Sequence, residues 1–402
     1  MVNNQFLALA GRYPITIWVR LLGELLTCLT SSMIAPFLAI YLNEKMGNSV
    51  LTTMIIIGLQ PLADIICTLL GGGLTDRFGR KPIMVFSLTF QLLAMLGYII
   101  ATDVWEIAII TILNGVGRSF YIPAAKAQIA DAIDNEHRAE VFGLFSTISY
   151  IGSAVGPLCS FLFMKDLSLL FLLSACSIFI YLILFCWKVH ESAPLITIRQ
   201  ESKLTPFSKE PSSPMSFEQL KILLTYIILS LPISFFYAQT ETNFPLFLKQ
   251  SFQDYQAILS WLATSHALLV IIAQLWLIKR TNQKPMGKVI LLSYLLYTVV
   301  ALIYGFSATF VSLLCAQALL AVAESIGIVR LLTFVSLLAP PHLRGRYFAI
   351  YGMHWDLSRM LGPFLGALLI GESRMLLFFV AAILFIIGGL GQIHFMKKIN
   401  RN

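Results

Sequence analysis

Nine ionisable side chains stand inside long apolar runs: the acids Glu24, Asp64, Glu241, Glu324 and Asp356, and the bases Arg20, Arg118, Arg330 and Arg359. A charge at the centre of a membrane helix costs about 2.5–3.5 kcal/mol on insertion scales, so each of these groups needs a reason to be there. A carboxylate withdrawn from water has one to offer. Desolvation favours its neutral form, while its ionised form attracts positive charge, so it can trade a proton for a cation. Glu241 and Glu324 lead the candidates for that exchange, with Glu24 third and Asp64 and Arg118 beside them. Glu24 lies twelve residues before Pro36, Glu241 four before Pro245, and Glu324 follows Ala323 with Arg330 nearly two turns away. Bland roles compete with the chemical ones. Arg20 and Glu24 are spaced i,i+4 and can neutralise each other, or Arg20 can extend to the membrane surface. Asp356 and Arg359, at i,i+3, read as a structural ion pair. Asp64 has no local partner, and Arg118 is within its choice of contacts. Phe235, Phe236, Tyr237 and Trp261 offer adaptable aromatic contact area, and His266 and His354, without ligand spacing, read as core histidines.

These groups need apolar elements around them. Of 402 residues 58% are hydrophobic and 12% charged, about half the charged share of an ordinary soluble protein. That excludes a soluble enzyme, a secreted domain and a disordered chain. A span needs about 20 apolar residues, and Lys/Arg clusters, Gly and Pro cut the chain into twelve: near 15–43, 50–74, 82–101, 105–127, 139–164, 167–187, 219–248, 255–278, 287–307, 309–337, 346–371 and 374–396. The run 289–323 is uncharged and too long for one span, so a break is placed between Gly305 and Thr309. The first segment is too long for a signal core and lacks a cleavage site, so it is expected to be retained. With both ends of the chain cytoplasmic, 20 of the 28 Lys and Arg fall in cytoplasmic segments, 4 outside and 4 within spans. That asymmetry predicts an even span count and accounts for the net charge of +8 without nucleic acid. The six cysteines all lie in apolar runs without a CxxC pair, so neither disulfides nor a metal site is expected.

The polar stretch 188–218, rich in Ser, Pro and mixed charge, reads as a cytoplasmic linker between an N-terminal six-helix bundle (1–187) and a C-terminal one (219–402). The halves echo each other. Lys81-Pro82 recurs as Lys284-Pro285. Arg138, Phe142, Phe145 and Gly156-Pro157 recur as Arg344, Phe348, Tyr351 and Gly362-Pro363 at a constant offset of 206 residues. The expected fold is an all-α integral membrane protein of twelve helices in two six-helix halves.

Two motifs sharpen this. Gly72-Gly73-Leu74-Thr75-Asp76-Arg77-Phe78-Gly79-Arg80-Lys81-Pro82 fits the pattern G-x-L-a-D-R-x-G-R-K. Glycines permit a tight turn, and Asp76 beside arginines can make charge-assisted bonds to a neighbouring helix. Gly72, Asp76, Arg77, Gly79, Arg80 and Lys81 thus form a candidate conformational latch, matched in the second half by Lys279 instead of an acid. Gly152-Ser153-Ala154-Val155-Gly156-Pro157 fits G-x-x-x-G-P-x-x-G-G, with Ser160 and Phe161 in place of the last glycines. Small residues at this spacing also let any membrane helices pack closely.

On these residues the chain resembles the major facilitator superfamily, and within it the twelve-helix drug:proton antiporter group. The resemblance implies an antiporter motif in Gly152, Gly156 and Pro157, and a cavity lined by the first, fourth, seventh and tenth helices. Glu24, Arg118, Glu241 and Glu324 fall one on each of these. Glu24 is similar to the first-helix acid of multidrug exporters, and Glu241 and Glu324 are similar to a pair of acids that bind cations and protons in a related exporter. The fourth-helix pattern R-x-x-x-G-x-G is altered: Asn114-Gly115-Val116-Gly117 fits, Thr111 replaces the arginine, and Arg118 lies two turns further along the same face. The function implied is proton-coupled efflux of amphipathic cations by alternating access, from a multi-pass protein of the cell membrane that acts as a monomer on protons and small molecules. A proton symporter for a metabolite, an exporter of a lipid or siderophore, and a non-transporting scaffold are the alternatives. No HExxH, GxSxG or GxxxxGK[ST] occurs, so neither an enzyme, a cofactor nor direct use of ATP is expected.

Overall fold

The computed structural model describes residues 13–71, 78–131, 138–162, 166–190, 216–306, 309–339, 344–370 and 374–399. Among them the ordered elements are helices: α1 (Ile15–Lys45), α2 (Val50–Gly71), α3 (Arg80–Ile100), α4 (Val104–Asp131), α5 (Arg138–Leu162), α6 (Leu167–Lys188), α7 (Phe217–Glu241), α8 (Asn243–Ser251), α9 (Tyr255–Thr281), α10 (Met286–Phe306), α11 (Phe310–Leu338), α12 (Arg344–Ile370) and α13 (Arg374–Ile399). Twelve are long and α8 is short. In a bilayer each backbone N–H and C=O must be paired within the protein, and a helix does this within one segment. Nine of the described helices are long and apolar enough to cross a membrane. Two other long helices, α4 and α12, carry Glu106 and Arg118, and Asp356 and Arg359.

Local chemistry sets the ends. Ser216 caps α7 through a reciprocal pair with Gln219, and the Asp166 carboxylate accepts from the Ser168 N–H at the start of α6. The expected break after Gly305 falls between Phe306 and Phe310, where Thr309 caps α11 by accepting from the Ser312 N–H. The expected seventh span, 219–248, is two helices. The chain leaves helical geometry at Thr242 (φ −125°, ψ −68°) and restarts with Pro245 in the first turn of α8, where its missing N–H costs nothing. Glu241 therefore ends a helix instead of standing within one. Most of the expected linker, residues 191–215, lies outside the described residues.

The halves keep register. α3, α4 and α5 start at residues 80, 104 and 138, and α10, α11 and α12 start at 286, 310 and 344, each 206 residues on. Compactness divides the chain into one unit of residues 1–34 and 59–208, and a second of 35–58 and 209–402. The second unit thus takes in the end of α1 and the start of α2. There Glu44 pairs with Lys249 at 2.7 Å, and Gly58 lies so near α12 that a Cβ would sit 2.6 Å from the Met360 carbonyl oxygen.

Each unit has its own core. In the first, Tyr13, Ile17, Leu21, Ile129, Val141 and Phe145 form a buried cluster that Trp18 flanks. In the second, the fully buried Phe236 ring meets Tyr297, Tyr304, Phe378 and Phe385. Outward faces are apolar as well: Trp105, Ile109, Ile272, Val311 and Leu337 are all largely exposed. In water this would invite aggregation; against lipid it is the expected surface.

Candidate functional site

The chemistry of the second unit gathers on Glu324, midway along α11. Its backbone is fixed from α10: Ser293 donates to the Ala323 carbonyl at 2.8 Å, and the absent side chain of Gly327 leaves room for the Ser293 hydroxyl. Two side chains meet one oxygen of its carboxylate. The Tyr237 hydroxyl on α7 donates to Oε2 at 2.5 Å, and His266 Nε2 on α9 lies 2.9 Å from the same atom. Behind Tyr237, its hydroxyl lies 3.4 Å from that of the buried Tyr297 on α10. Oε1 makes no hydrogen bond among the described residues. The His266 and Glu324 side chains are 20% and 26% exposed, so the pair is mostly sheltered yet open to a small partner.

Tyr237 also begins a ladder along α7. Its ring lies 5.5 Å from that of Trp355 on α12. Four residues on along each helix, Glu241 Oε2 lies 3.6 Å from Arg359 Nε, with both side chains about two-fifths exposed. The acid expected beside Glu324 thus answers a base of the next rung instead. Arg359, read from spacing as the partner of Asp356, faces Glu241. Arg330 does not neutralise Glu324; its Nη2 lies 3.3 Å from the Asn282 side-chain oxygen.

In the first unit Glu24 is held by neutral donors. Ser149 on α5 donates to Oε1 at 2.6 Å, and the Cys28 thiol lies 3.4 Å from it. Arg20 neither pairs with Glu24 nor reaches the surface. Its guanidinium is buried, donating to Tyr121 at 2.8 Å and to Tyr181, with the Phe145 ring 6.0 Å away. On α2, Gln60 accepts from Asn114 of α4 at 3.3 Å. Asp64 and Arg118 each lie one turn further along those same two helices.

The glycine motif forms a seam. At Gly152 an added Cβ would sit 2.9 Å from the Cys28 Cβ, and at Gly156 it would sit 2.5 Å from the Leu29 carbonyl oxygen and against the Ser32 hydroxyl. Ser32 donates to the Gly152 carbonyl at 3.1 Å, and Ser160 to the Met33 carbonyl at 2.7 Å. Pro157 is buried in that seam. Of the latch, Gly72, Asp76 and Arg77 lie outside the described residues. Gly79 takes φ +94°, which favours glycine, Arg80 opens α3, and Lys81 Nζ donates to the Cys186 carbonyl in the last turn of α6 at 2.9 Å. Lys81 therefore caps a helix end, where its charge suits the dipole.

Sequence reasoning missed three groups. His266 does have a partner, 58 residues away in Glu324. Gln239 and Asn243 close α7 and α8 against α12, donating to the Gly362 carbonyl at 2.8 Å and the Pro363 carbonyl at 3.0 Å. His354 keeps the core role expected of it: buried, with Nδ1 2.9 Å from the Ser234 hydroxyl.

Long apolar helices that bury a few charged groups on polar partners inside each unit define a membrane protein of the transporter kind. The Major Facilitator Superfamily model matches residues 21–286 and 240–398, and the chain belongs to that family as a multi-pass membrane protein. It is 37% identical over 398 residues to the uncharacterized MFS-type transporter YhjO of Bacillus subtilis, covering 98% of this chain and 97% of that one. It is 28% identical over 376 residues to a Na(+), Li(+), K(+)/H(+) antiporter of Planococcus maritimus, covering 86% and 87%. It is 30% identical over 177 residues to the multidrug resistance protein MdtG of Salmonella dublin, covering 42% and 44%. The crystal structure of peptide transporter POT in complex with sulfate matches the fold with a TM-score of 0.76 at 17% identity, covering 96% and 95%.

Proposed function

We infer that this chain is a proton-coupled antiporter that exports cations by alternating access, its twelve long helices spanning the membrane with both ends of the chain in the cytoplasm. The observation that carries the reading is Glu324, an acid inside an apolar helix, held by Tyr237 and His266 with one oxygen open. Cargo and proton compete for that site. A cation seated against the open oxygen balances the charge of the cluster, and a proton delivered to the cluster from outside does the same and releases the cargo. Tyr237 and Trp355 supply an aromatic face for an amphipathic cation. Glu24, held by Ser149 and Cys28, forms a second polar group in the first unit. The seam of Gly152, Gly156 and Pro157 supports antiport through the family resemblance alone.

A second reading, exchange of alkali cations for protons, is favoured by one observation: the alkali-cation antiporter matches over most of both chains, the multidrug protein over less than half. Proteoliposomes under an imposed pH gradient separate the two. The first reading expects a lipophilic dye cation to move and Na(+) not to; the second expects the reverse. In either case Glu324→Gln should abolish proton-driven flux, and undiminished flux in that variant would remove Glu324 from the mechanism.

A further inference from the structure

We propose that the proton which displaces cargo is carried by His266, on the imidazole Nδ1, while the Glu324 carboxylate stays ionised throughout the cycle. The proposal rests on the cation-for-proton reading above and assigns the atom that holds the proton.

The argument is one of donors and lone pairs. Glu324 Oε2 already meets two groups, the donating Tyr237 hydroxyl at 2.5 Å and His266 Nε2 at 2.9 Å. Two donors converging on one oxygen is the arrangement of an ionised carboxylate. With the carboxylate ionised and the tyrosine O–H directed at Oε2, the imidazole presents its own N–H there as well, which places the hydrogen on Nε2 and leaves the lone pair on Nδ1. Nδ1 is buried and makes no hydrogen bond among the described residues. It is therefore a proton site of the cluster that leaves Oε1 free for cargo. A proton added there turns the ring into imidazolium without breaking either contact to Oε2. A proton added to Oε2 would displace one of the two donors. Imidazole is also the side chain that ordinarily changes charge around neutrality.

Charge balance gives the exchange. In the cargo-bound state, carboxylate and neutral imidazole hold a cation near the open oxygen, Oε1. When Nδ1 takes a proton, the positive charge on the ring satisfies the same carboxylate and repels the cargo. One proton enters and one positive charge leaves. Because the buried Nδ1–H of imidazolium has no acceptor among the described residues, the protonated ring gives its proton up again once water reaches it from the other side.

The groups that face His266 are few. Glu324 comes from α11 and Tyr237 from α7, with Tyr297 of α10 behind it. Lys279 and Arg280, the bases of α9 itself, stand in its last turn more than three turns away. Arg330 of α11 is directed to Asn282.

The test is cation binding against pH on the purified, reconstituted chain, with a fluorescent lipophilic cation and Na(+) as the probes. Wild type should lose about tenfold in affinity for each pH unit below its midpoint, as expected for competition by one proton. His266→Gln keeps an N–H for Oε2 but has no proton site. It should bind the cation with less than twofold change across the same pH range, whereas Tyr237→Phe should keep the tenfold slope. A wild-type slope that persists in His266→Gln overturns the proposal and leaves the antiport reading standing. Absence of cation binding, or of any pH dependence, in wild type overturns that reading itself. If His266→Gln does not fold, infrared difference spectra of wild type on acidification decide the matter. The proposal expects no protonated-carboxyl band that Glu324→Gln removes, and such a band would refute it.

Discussion

Gly156→Ala offers a quantitative check on the seam between α5 and α1. The added Cβ would stand 2.5 Å from the Leu29 carbonyl oxygen and 2.9 Å from the Met33 nitrogen, where ordinary contact begins at 3.4 Å. Both neighbours are backbone of α1 and cannot rotate aside, so that helix must withdraw by about 0.9 Å to restore contact distance. The same movement stretches the Ser160 bond to Met33, now 2.7 Å, to about 3.6 Å, past useful range. Overpacking of this kind costs about 1–3 kcal/mol, and a lost buried hydrogen bond about 0.5–1.5 kcal/mol. The variant should therefore be less stable by roughly 2–4 kcal/mol in a reversible SDS-unfolding titration followed by tryptophan fluorescence, with Trp18 of the adjoining core as one reporter. Gly352→Ala is the control: it is also helical, but an added Cβ there meets nothing within 4 Å, and it should be neutral or stabilising by about 0.5–1 kcal/mol. A Gly156→Ala protein within about 0.5 kcal/mol of wild type, or a control that loses as much, would refute the reasoning.

Three other perturbations separate roles within the second unit. Trp355→Ala should weaken binding of an aromatic cation by about three- to thirtyfold while leaving any Na(+) affinity unchanged, and Trp355→Phe should restore most of the loss, as read by fluorescence titration. Glu241→Gln and Arg359→Gln break a pair whose side chains are about two-fifths exposed, so each should cost no more than about 1 kcal/mol of stability and retain proton-driven flux in vesicles. Lys249→Glu should lose up to about 1 kcal/mol against Glu44, regain it in the double variant with Glu44→Lys, and lose the difference in 1 M salt, where screening acts within about 3 Å. The same unfolding titration measures both.

The helices were legible because apolar runs of membrane length admit few other readings, and Glu324 was legible because a lone acid in such a run stands out. The division of the seventh run at Thr242 was hidden. Pro245 reads equally well as a kink inside one helix, and only the observed geometry at Thr242 shows that the chain turns there. His266 was hidden for another reason. Local spacing reveals partners three or four residues apart, but its partner arrives on a different helix through tertiary packing. The partner of Glu241 was hidden for the same cause: Tyr237 and Glu241 lie on one face of α7, yet only packing against α12 decides which of them meets Glu324 and which meets Arg359. Gln239 and Asn243 carry no charge and drew no notice, although in an apolar medium an amide that satisfies a backbone carbonyl is a strong constraint.

Ser160 carries the most instructive departure. Against the glycine motif it reads as damage, but comparison of the halves gives it a purpose. The offset of 206 residues pairs Gly156 with Gly362, Ser32 with Ala238, Met33 with Gln239 and Ser160 with Gly366. Gly156 packs on Ser32 as Gly362 packs on Ala238, so both seams meet at the same register. The groups that fasten them have changed sides. In the first half a hydroxyl on α5, Ser160, reaches the backbone of α1 at Met33. In the second, the position of Met33 is Gln239, which reaches back to α12 at Gly362, and the position of Ser160 is Gly366, where any side chain would collide with the Gln239 amide. Where Ser160 crosses the first seam it meets backbone, and where Gln239 and Asn243 cross the second they meet backbone carbonyls and the bare Gly366. Close approach is thus what the two halves hold in common, and the choice of which helix supplies the crossing group is free. A serine in place of a motif glycine is then no loss of the seam, provided the facing position gives it a carbonyl instead of a second side chain.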